Sequence, residues 1–472
     1  MLKLIIEKEL REIVESAKFV VTFAVCSVLI LLTFYVGARN YQVSQEKYEA
    51  AKSENLRQMQ GLTGWMQVNS SRIFLPPNPL EALVTGVSND IGRTIEMAGR
   101  GELTAHDSRY NDEPIFSVFR FLDLDFIFQI ILSLFAILFA YHAINGEKER
   151  GTLRLAFANS LPRDKYILAK LIGAFLGLGV PLLIPILLGC LLLPLLGIHF
   201  SADEWLKLML VFVAGFLFFG VFLTLSVFIS AMTHRSTNSF IILLVIWVFS
   251  VLIIPKTSVL LAGRAVDVPS VDEISSQKAR LRAQLWKEDR DKMGSFKPSK
   301  SDDPESLMQE FNKLMQELAD NRDKKLQELA ARLNEDRRNR QTQQERLAFG
   351  LARISPAAAF SLAATRLVGT SLDIKENFLH AATGYQKTYA EFMKEKTGMN
   401  LGGNIIMIRA RRDGEEEKEK AIDPKELPEF QYTQPELKKT VSRALFDFGI
   451  LGMFNVVFFA GAYSAFLRYD VR

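Results

Sequence analysis

Apolar runs and charged stretches alternate along this chain over tens of residues rather than three or four. Near-unbroken hydrophobic sequence occupies Phe19–Val36, Phe126–Ile144, Ile172–Leu196, Leu208–Met232, Phe240–Ile254 and Ala444–Phe466. A helix needs roughly 20 predominantly apolar residues to cross a bilayer. The runs therefore predict six transmembrane helices, at residues 19–36, 123–144, 171–196, 206–232, 239–255 and 444–466. Ahead of them, residues 1–18 place Leu2, Ile5, Ile6, Leu10, Ile13 and Val14 on one helical face, with Lys3, Lys8, Arg11 and Glu12 largely opposite. That pattern predicts an amphipathic helix in the membrane interface, its basic side toward anionic headgroups. A plain cytosolic helix is the alternative.

Two long polar stretches separate the runs, at 37–122 and 256–443. The first contains Phe74-Leu-Pro-Pro-Asn-Pro-Leu80, which cannot be helix interior. The second is rich in Glu, Gln, Lys, Arg, Leu and Ala over Val271–Lys287 and Pro304–Leu347, with a break from Gly294 to Pro304. Met308, Phe311, Met315 and Leu318 follow three-four spacing, as do Leu326, Leu329 and Leu333 after a phase slip. An antiparallel helical hairpin or a partner-binding coiled coil fits, and such a stripe either seals a local core or forms an interface. Arg411–Glu426 is a mixed charge run, read as a solvated loop. The fold class expected is an all-α membrane protein: six transmembrane helices, an N-terminal interfacial helix and a large, mainly helical extracytoplasmic insert at 256–443.

Charge placement orients the spans. If the amino terminus is inside, the inner pieces are 1–18, 145–170, 233–238 and 467–472, and each carries Lys or Arg beside a span, whereas Ser201–Trp205 has none. Lys and Arg concentrate in short cytoplasmic loops, so both termini are expected in the cytoplasm. The 472 residues are 49% hydrophobic and 23% charged, with a net charge of +4, which suits separate apolar and polar blocks rather than one globular core. No basic run with interleaved aromatics suggests nucleic-acid binding. Cys26 and Cys190 both fall inside spans and are read as packing residues.

Other chemistry is sparse. No Gly-x-x-x-x-Gly-Lys-Ser/Thr occurs, so ATP would have to be bound by another polypeptide. His106, His142, His199, His234 and His380 are scattered, and none stands at metal-ligand spacing. Neither Gly-x-Ser-x-Gly nor His-Glu-x-x-His appears, so no catalytic, cofactor-binding or metal residue is assigned. Within the spans, Gly173 and Gly177 are spaced for close helix contact, and Pro181, Pro185 and Pro194 interrupt the ladder. Local irregularity without a transport role is the other reading. Asp447 and Asn455 are the main polar intrusions. An intramembrane carboxylate is a candidate pathway group, although Asp447 also fits a place at the interface.

The segment from Asn145 to Lys170 is short and charged, wedged between the second and third runs. Arg150, Arg154, Arg163, Lys165 and Lys170 cluster there, around a short amphipathic turn of Thr152, Leu153, Leu155, Ala156 and Asn159 ended by Ser160-Leu161-Pro162. A connector whose charges only set topology is one reading. The pattern Glu-x-Glu-x-Gly-Thr-Leu, then Leu-Pro-Arg, then Lys, resembles the first cytoplasmic loop of ABC-2 type permeases, the membrane halves of ATP-binding-cassette exporters. On that resemblance the loop is a coupling helix seated on an ATPase subunit, carried here by Glu147, Glu149, Gly151, Thr152, Leu153, Leu161, Pro162, Arg163 and Lys170. Lys8-Glu9-Leu10-Arg11-Glu12 is similar to the family's interfacial elbow helix. Pro79-Leu80, Gly86 and Ile354–Thr370 resemble the branch with long periplasmic inserts.

The resemblance implies a permease subunit of the bacterial inner membrane, with ABC ATPase subunits, a second permease copy or paralogue, and lipid as partners. ATP and magnesium would be bound by the ATPase, and a periplasmic partner would meet the insert. A membrane-anchored periplasmic scaffold that moves nothing is the alternative, and a mechanotransmission complex lies between the two. An intramembrane enzyme has no acid pair, metal set or nucleophile–base pair to support it.

Overall fold

The computed structural model describes residues 2–68, 71–88, 91–97, 103, 105–106, 123–153, 157, 162–295, 304–397 and 422–468. Among the described residues, six helices are long and apolar enough to cross a membrane: Ala17–Met59, Leu124–Glu149, Arg163–Leu195, Ala202–Met232, Ser236–Ala265 and Leu437–Leu467. They match the six hydrophobic runs and extend beyond most of them.

Helix α1 (Leu2–Val14) is amphipathic and turns its Glu9 and Ile13 inward. It lies along α6 (Arg163–Leu195), where Gly173 and Gly177 make the seat. A Cβ on Gly173 would come within 2.7 Å of the Glu9 Cβ, and one on Gly177 within 3.3 Å of the Ile13 side chain. Small residues allow backbones to approach this closely. Ser16 then caps α2 (Ala17–Met59), its hydroxyl accepting from the Phe19 N–H. At 1.5 Å per residue α2 is about 64 Å long, roughly twice the hydrocarbon thickness. It therefore runs out of the bundle as a stem.

The second span is irregular. Asp123 caps the short α3 (Leu124–Phe126), a π-turn covers Ile127–Leu132, α4 is Ser133–Ala140 and α5 is Asn145–Glu149. The fifth span has the same break: α8 (Ser236–Trp247), a π-turn at Val248–Ile253 and α9 (Ile254–Ala265). Such turns free backbone carbonyls that side chains can occupy. Trp247 donates its indole N–H to the Ser133 hydroxyl at 2.7 Å, and the Ser355 hydroxyl donates to the Ser250 carbonyl. The fourth span, α7 (Ala202–Met232), is the centre of the bundle, 67% of its apolar window being buried.

Polar residues follow α9. Helices α10 (Val271–Gly294) and α11 (Pro304–Ala352) pair antiparallel: Arg322 meets Asp289 at 2.9 Å and covers the Trp286 ring, while Gln344 reaches back to the Val266 carbonyl. Ile274, Leu285 and Leu318 are buried, whereas Met308, Phe311 and Met315 stay exposed. The stripe thus seals a seam at Leu318 and not at its three upstream members. Helix α12 (Pro356–Val368) then returns into the bundle. Its Ala357, Ala359, Phe360, Ala363 and Ala364 are buried, and Phe360 stacks on Phe218 at 5.2 Å. Last come α13 (Asp373–Thr397) and α14 (Leu437–Leu467), the sixth span.

The two polar stretches also share a core outside the bundle. Met59, Trp65, Ile73, Leu75, Ile95 and Met97 from the first pack with Phe378, Tyr389 and Met393 from the second. A three-stranded antiparallel sheet, β1 (Ser71–Phe74), β2 (Thr94–Met97) and β3 (Ala105–His106), forms one wall, with Ser71 opposite Met97 and Thr94 opposite His106. These short strands beside the Pro-rich turn leave the all-α class intact.

Candidate functional site: the loop face of the bundle

Four segments far apart in sequence converge on one end of the bundle: α1, the loop after the second span, the α7–α8 turn and the end of α14. Helix α5, at the start of the loop, holds them together. The backbone N–H groups of Ile144 and Asn145 both donate to the Ser230 hydroxyl, at 3.0 and 3.1 Å. Asn145 donates its amide to Thr233 Oγ1 at 2.9 Å, and Lys148 Nζ donates to the Ala231 carbonyl at 2.6 Å. A cation on the last carbonyls of a helix complements its dipole, so Lys148 stops α7. Glu149 accepts from the Ser236 N–H and hydroxyl, both at 2.8 Å, which caps the start of α8. A carboxylate at a helix N-terminus is the matching arrangement. One turn of helix thus fastens the end of the fourth span to the start of the fifth.

Glu147 points the other way, into the protein. Its side chain is 7% exposed and accepts from Lys8 Nζ at 3.0 Å, Lys170 Nζ at 2.9 Å and the Tyr166 hydroxyl at 2.5 Å. Lys170 also pairs with Glu9. The chain Lys8–Glu147–Lys170–Glu9 therefore ties α1, α5 and α6 into one unit. Burial raises the Glu9 carboxyl above its usual range, with Lys170 opposing that shift. Charges taken out of water are tolerated only when paired and hydrogen-bonded, and the two central groups, Glu147 and Lys170, each have at least two partners in the network. On the rim, Arg150 reaches Glu12 at 3.4 Å.

Beyond α5 the chain turns at Gly151, whose φ of +71° favours glycine and whose position is open. Thr152 is exposed, and Leu153 is buried against Phe157, Tyr166 and Phe466. Arg154 to Ala156 and Ala158 to Leu161 lie outside the described residues, so much of the amphipathic turn, Leu161 included, does too. Pro162 is exposed and leads into α6, and Arg163 donates to the Leu467 carbonyl at 2.8 Å.

Of the loop residues singled out from sequence, Glu147, Leu153 and Lys170 face inward, while Glu149, Gly151, Thr152 and Pro162 face outward. Gly173 and Gly177 contact α1 rather than another span. Asn455 donates to the Leu217 and Leu451 carbonyls and lies against Gly220, binding α14 to α7. Asp447 is fully buried at the opposite end, gripped by Arg353 and by Arg366 Nη1 at 2.7 Å. It fastens α12 to α14 near the start of the sixth span. Sequence reasoning did not find Tyr166, Ser230 or Ser236. Glu9 had a signal, for it falls on the apolar side of α1 between Ile6 and Ile13.

A comparison with curated proteins returned no match. A family model described as ABC-2 family transporter protein matches residues 4–471. Six spans, an amphipathic helix docked on the third and a loop that joins four segments are in keeping with that match. The chain belongs to the ABC-2 transporter family and is a multi-pass membrane permease component of an ABC transporter.

Proposed function

We propose that this permease works in the bacterial inner membrane as half of a dimeric exporter, with both termini in the cytoplasm. A separate ATPase, holding ATP and magnesium, docks on the loop face. The observation that carries this reading is the double attachment of α5: Glu147 inward to α1 and α6, Lys148 and Glu149 outward to the α7–α8 junction. A push on the open surface at Gly151, Thr152 and Pro162 reaches four spans through that turn. A partner shifts the permease only through contacts that differ between its own states, and an exposed rim over a buried network supplies such contacts.

The continuity of the fifth span with the hairpin favours mechanotransmission as the way the insert is used. Ser236–Ala265 runs from the Glu149 cap to α10, so movement of the loop is delivered to the far side of the membrane. A scaffold that moves nothing has no use for this connection.

Cys26 and Cys190 are both buried, so Thr152→Cys gives a single reactive position. It is expected to label only from the cytoplasmic side and to cross-link to a co-purified ATPase. Labelling from the outside, or purification with no ATPase after gentle extraction, overturns the reading.

A further inference from the structure

At the opposite end from the loop, a cleft opens between the bundle and the outer body. It is lined by Lys207, Arg366, Lys439 and Arg443, with Glu81 and Asp373 as the acidic members. The acids are already engaged, Glu81 by Arg93 and Asp373 by Arg443 at 2.8 Å. Arg366 is engaged by Asp447. Lys207 is different. It is 5% exposed, it lines the cleft, and among the described residues it has no hydrogen-bond or ion-pair partner. Its ammonium belongs to the cleft lining with no described carboxylate paired to it, and an unpaired positive charge in a cleft favours an anion. Lys439 adds a second positive charge at the mouth, and the N-termini of α13 and α14 border the same space, each the positive end of a long helix.

We propose that this cleft binds a phosphate group, with Lys207 as its principal counter-ion. Ammonium and guanidinium groups with the Thr440 hydroxyl are the donors that suit phosphate. Lys207 lies in the first turns of the fourth span and Lys439 in the first turns of the sixth, the level at which an apolar span meets lipid headgroups. The phosphate therefore comes either from an anionic phospholipid or from solution. The site is independent of the ATPase contact.

The test uses the full chain in detergent, with inorganic phosphate titrated against melting temperature, and with phosphatidylglycerol or phosphatidylcholine retention followed by native mass spectrometry. Saturable stabilisation by inorganic phosphate that displaces lipid identifies the soluble source. Retention of phosphatidylglycerol over phosphatidylcholine, insensitive to added phosphate, identifies the headgroup. In either case Lys207→Gln is expected to weaken binding roughly tenfold or more, as loss of a buried counter-charge does. Exposed Lys439→Glu, which leaves the core untouched, is expected to weaken it about threefold or more, as rim charges do. Absence of saturable binding by either probe overturns the proposal, as does equal binding by wild type and the folded variants.

Discussion

Glu147 and Asp447 are both buried carboxylates that bridge two cations from other elements, at opposite ends of the bundle, and they are built differently. Asp447 is wholly enclosed and held by two guanidiniums, Arg353 just before the short helix α12 and Arg366 in its last turn. Guanidinium forks fix direction as well as distance. Glu147 is held by two ammoniums from separate helices, one of them the largely exposed Lys8, and by the phenol of Tyr166 on the helix of Lys170. Lysines are flexible point charges that keep contact while their helices slide. The insert end is thus clamped, and the loop end is tethered with some play, as a permease driven from the loop requires.

Breaking the clamp is expected to have the largest effect. Asp447→Ala leaves two guanidiniums facing each other in a buried site, at a cost of about 3–5 kcal/mol, read as a lower melting temperature and faster proteolysis between α12 and α14. The tether yields less. Glu147→Gln is expected to cost about 1–3 kcal/mol, because Glu9 still holds Lys170, while transport-coupled ATPase activity falls further than stability does. If Glu147→Gln destabilises as much as Asp447→Ala, the contrast between the two ends fails. Gly173→Ala probes the same tether from behind: its Cβ would lie 2.7 Å from that of Glu9, so α1 must shift, at about 1–3 kcal/mol, with increased tryptic cleavage in α1 as the readout.

A third half-buried carboxylate sharpens the comparison because its neighbours include acids. Glu345 on α11 is pushed up to about 7 by burial, then by Glu376 and Asp373, with Lys375 opposing. Its folded value lies above the ordinary 4.5, so its stabilising contribution is full below that value and is lost as pH rises through about 7. The contact between α11 and α13 is expected to weaken by on the order of 1–2 kcal/mol across that window, as measured by hydrogen exchange. Glu345→Gln should flatten the dependence. Smallest of all, Arg150→Ala removes an exposed pair with Glu12 and should cost under about 1 kcal/mol.

The six spans and the amphipathic first helix were legible because a bilayer demands long apolar runs and an interface demands a two-faced helix. Helix α12 was not, since thirteen residues are too few to cross a membrane and its alanines carry little hydropathy. Its burial depends on α7 and α14, which stand far away in the chain. The three strands escaped for a similar reason, each too short to show an alternating pattern. At the loop, the motif located the right turn but not the division of labour within it. Glu147 and Glu149 are two residues apart and look alike in sequence, yet helical geometry sends one inward to Lys170 and the other outward to Ser236.

The grip on Asp447 has a consequence for how the molecule is made. The last span, the least apolar of the six with a mean hydropathy of 1.8, brings a carboxylate whose two arginines have already emerged from the ribosome. A nascent chain that stops short of Leu437 leaves both guanidiniums stranded, so the final helix completes a socket that earlier synthesis has prepared. Partition into lipid alone does not secure that helix. Its arrival closes the grip of Arg353 and Arg366.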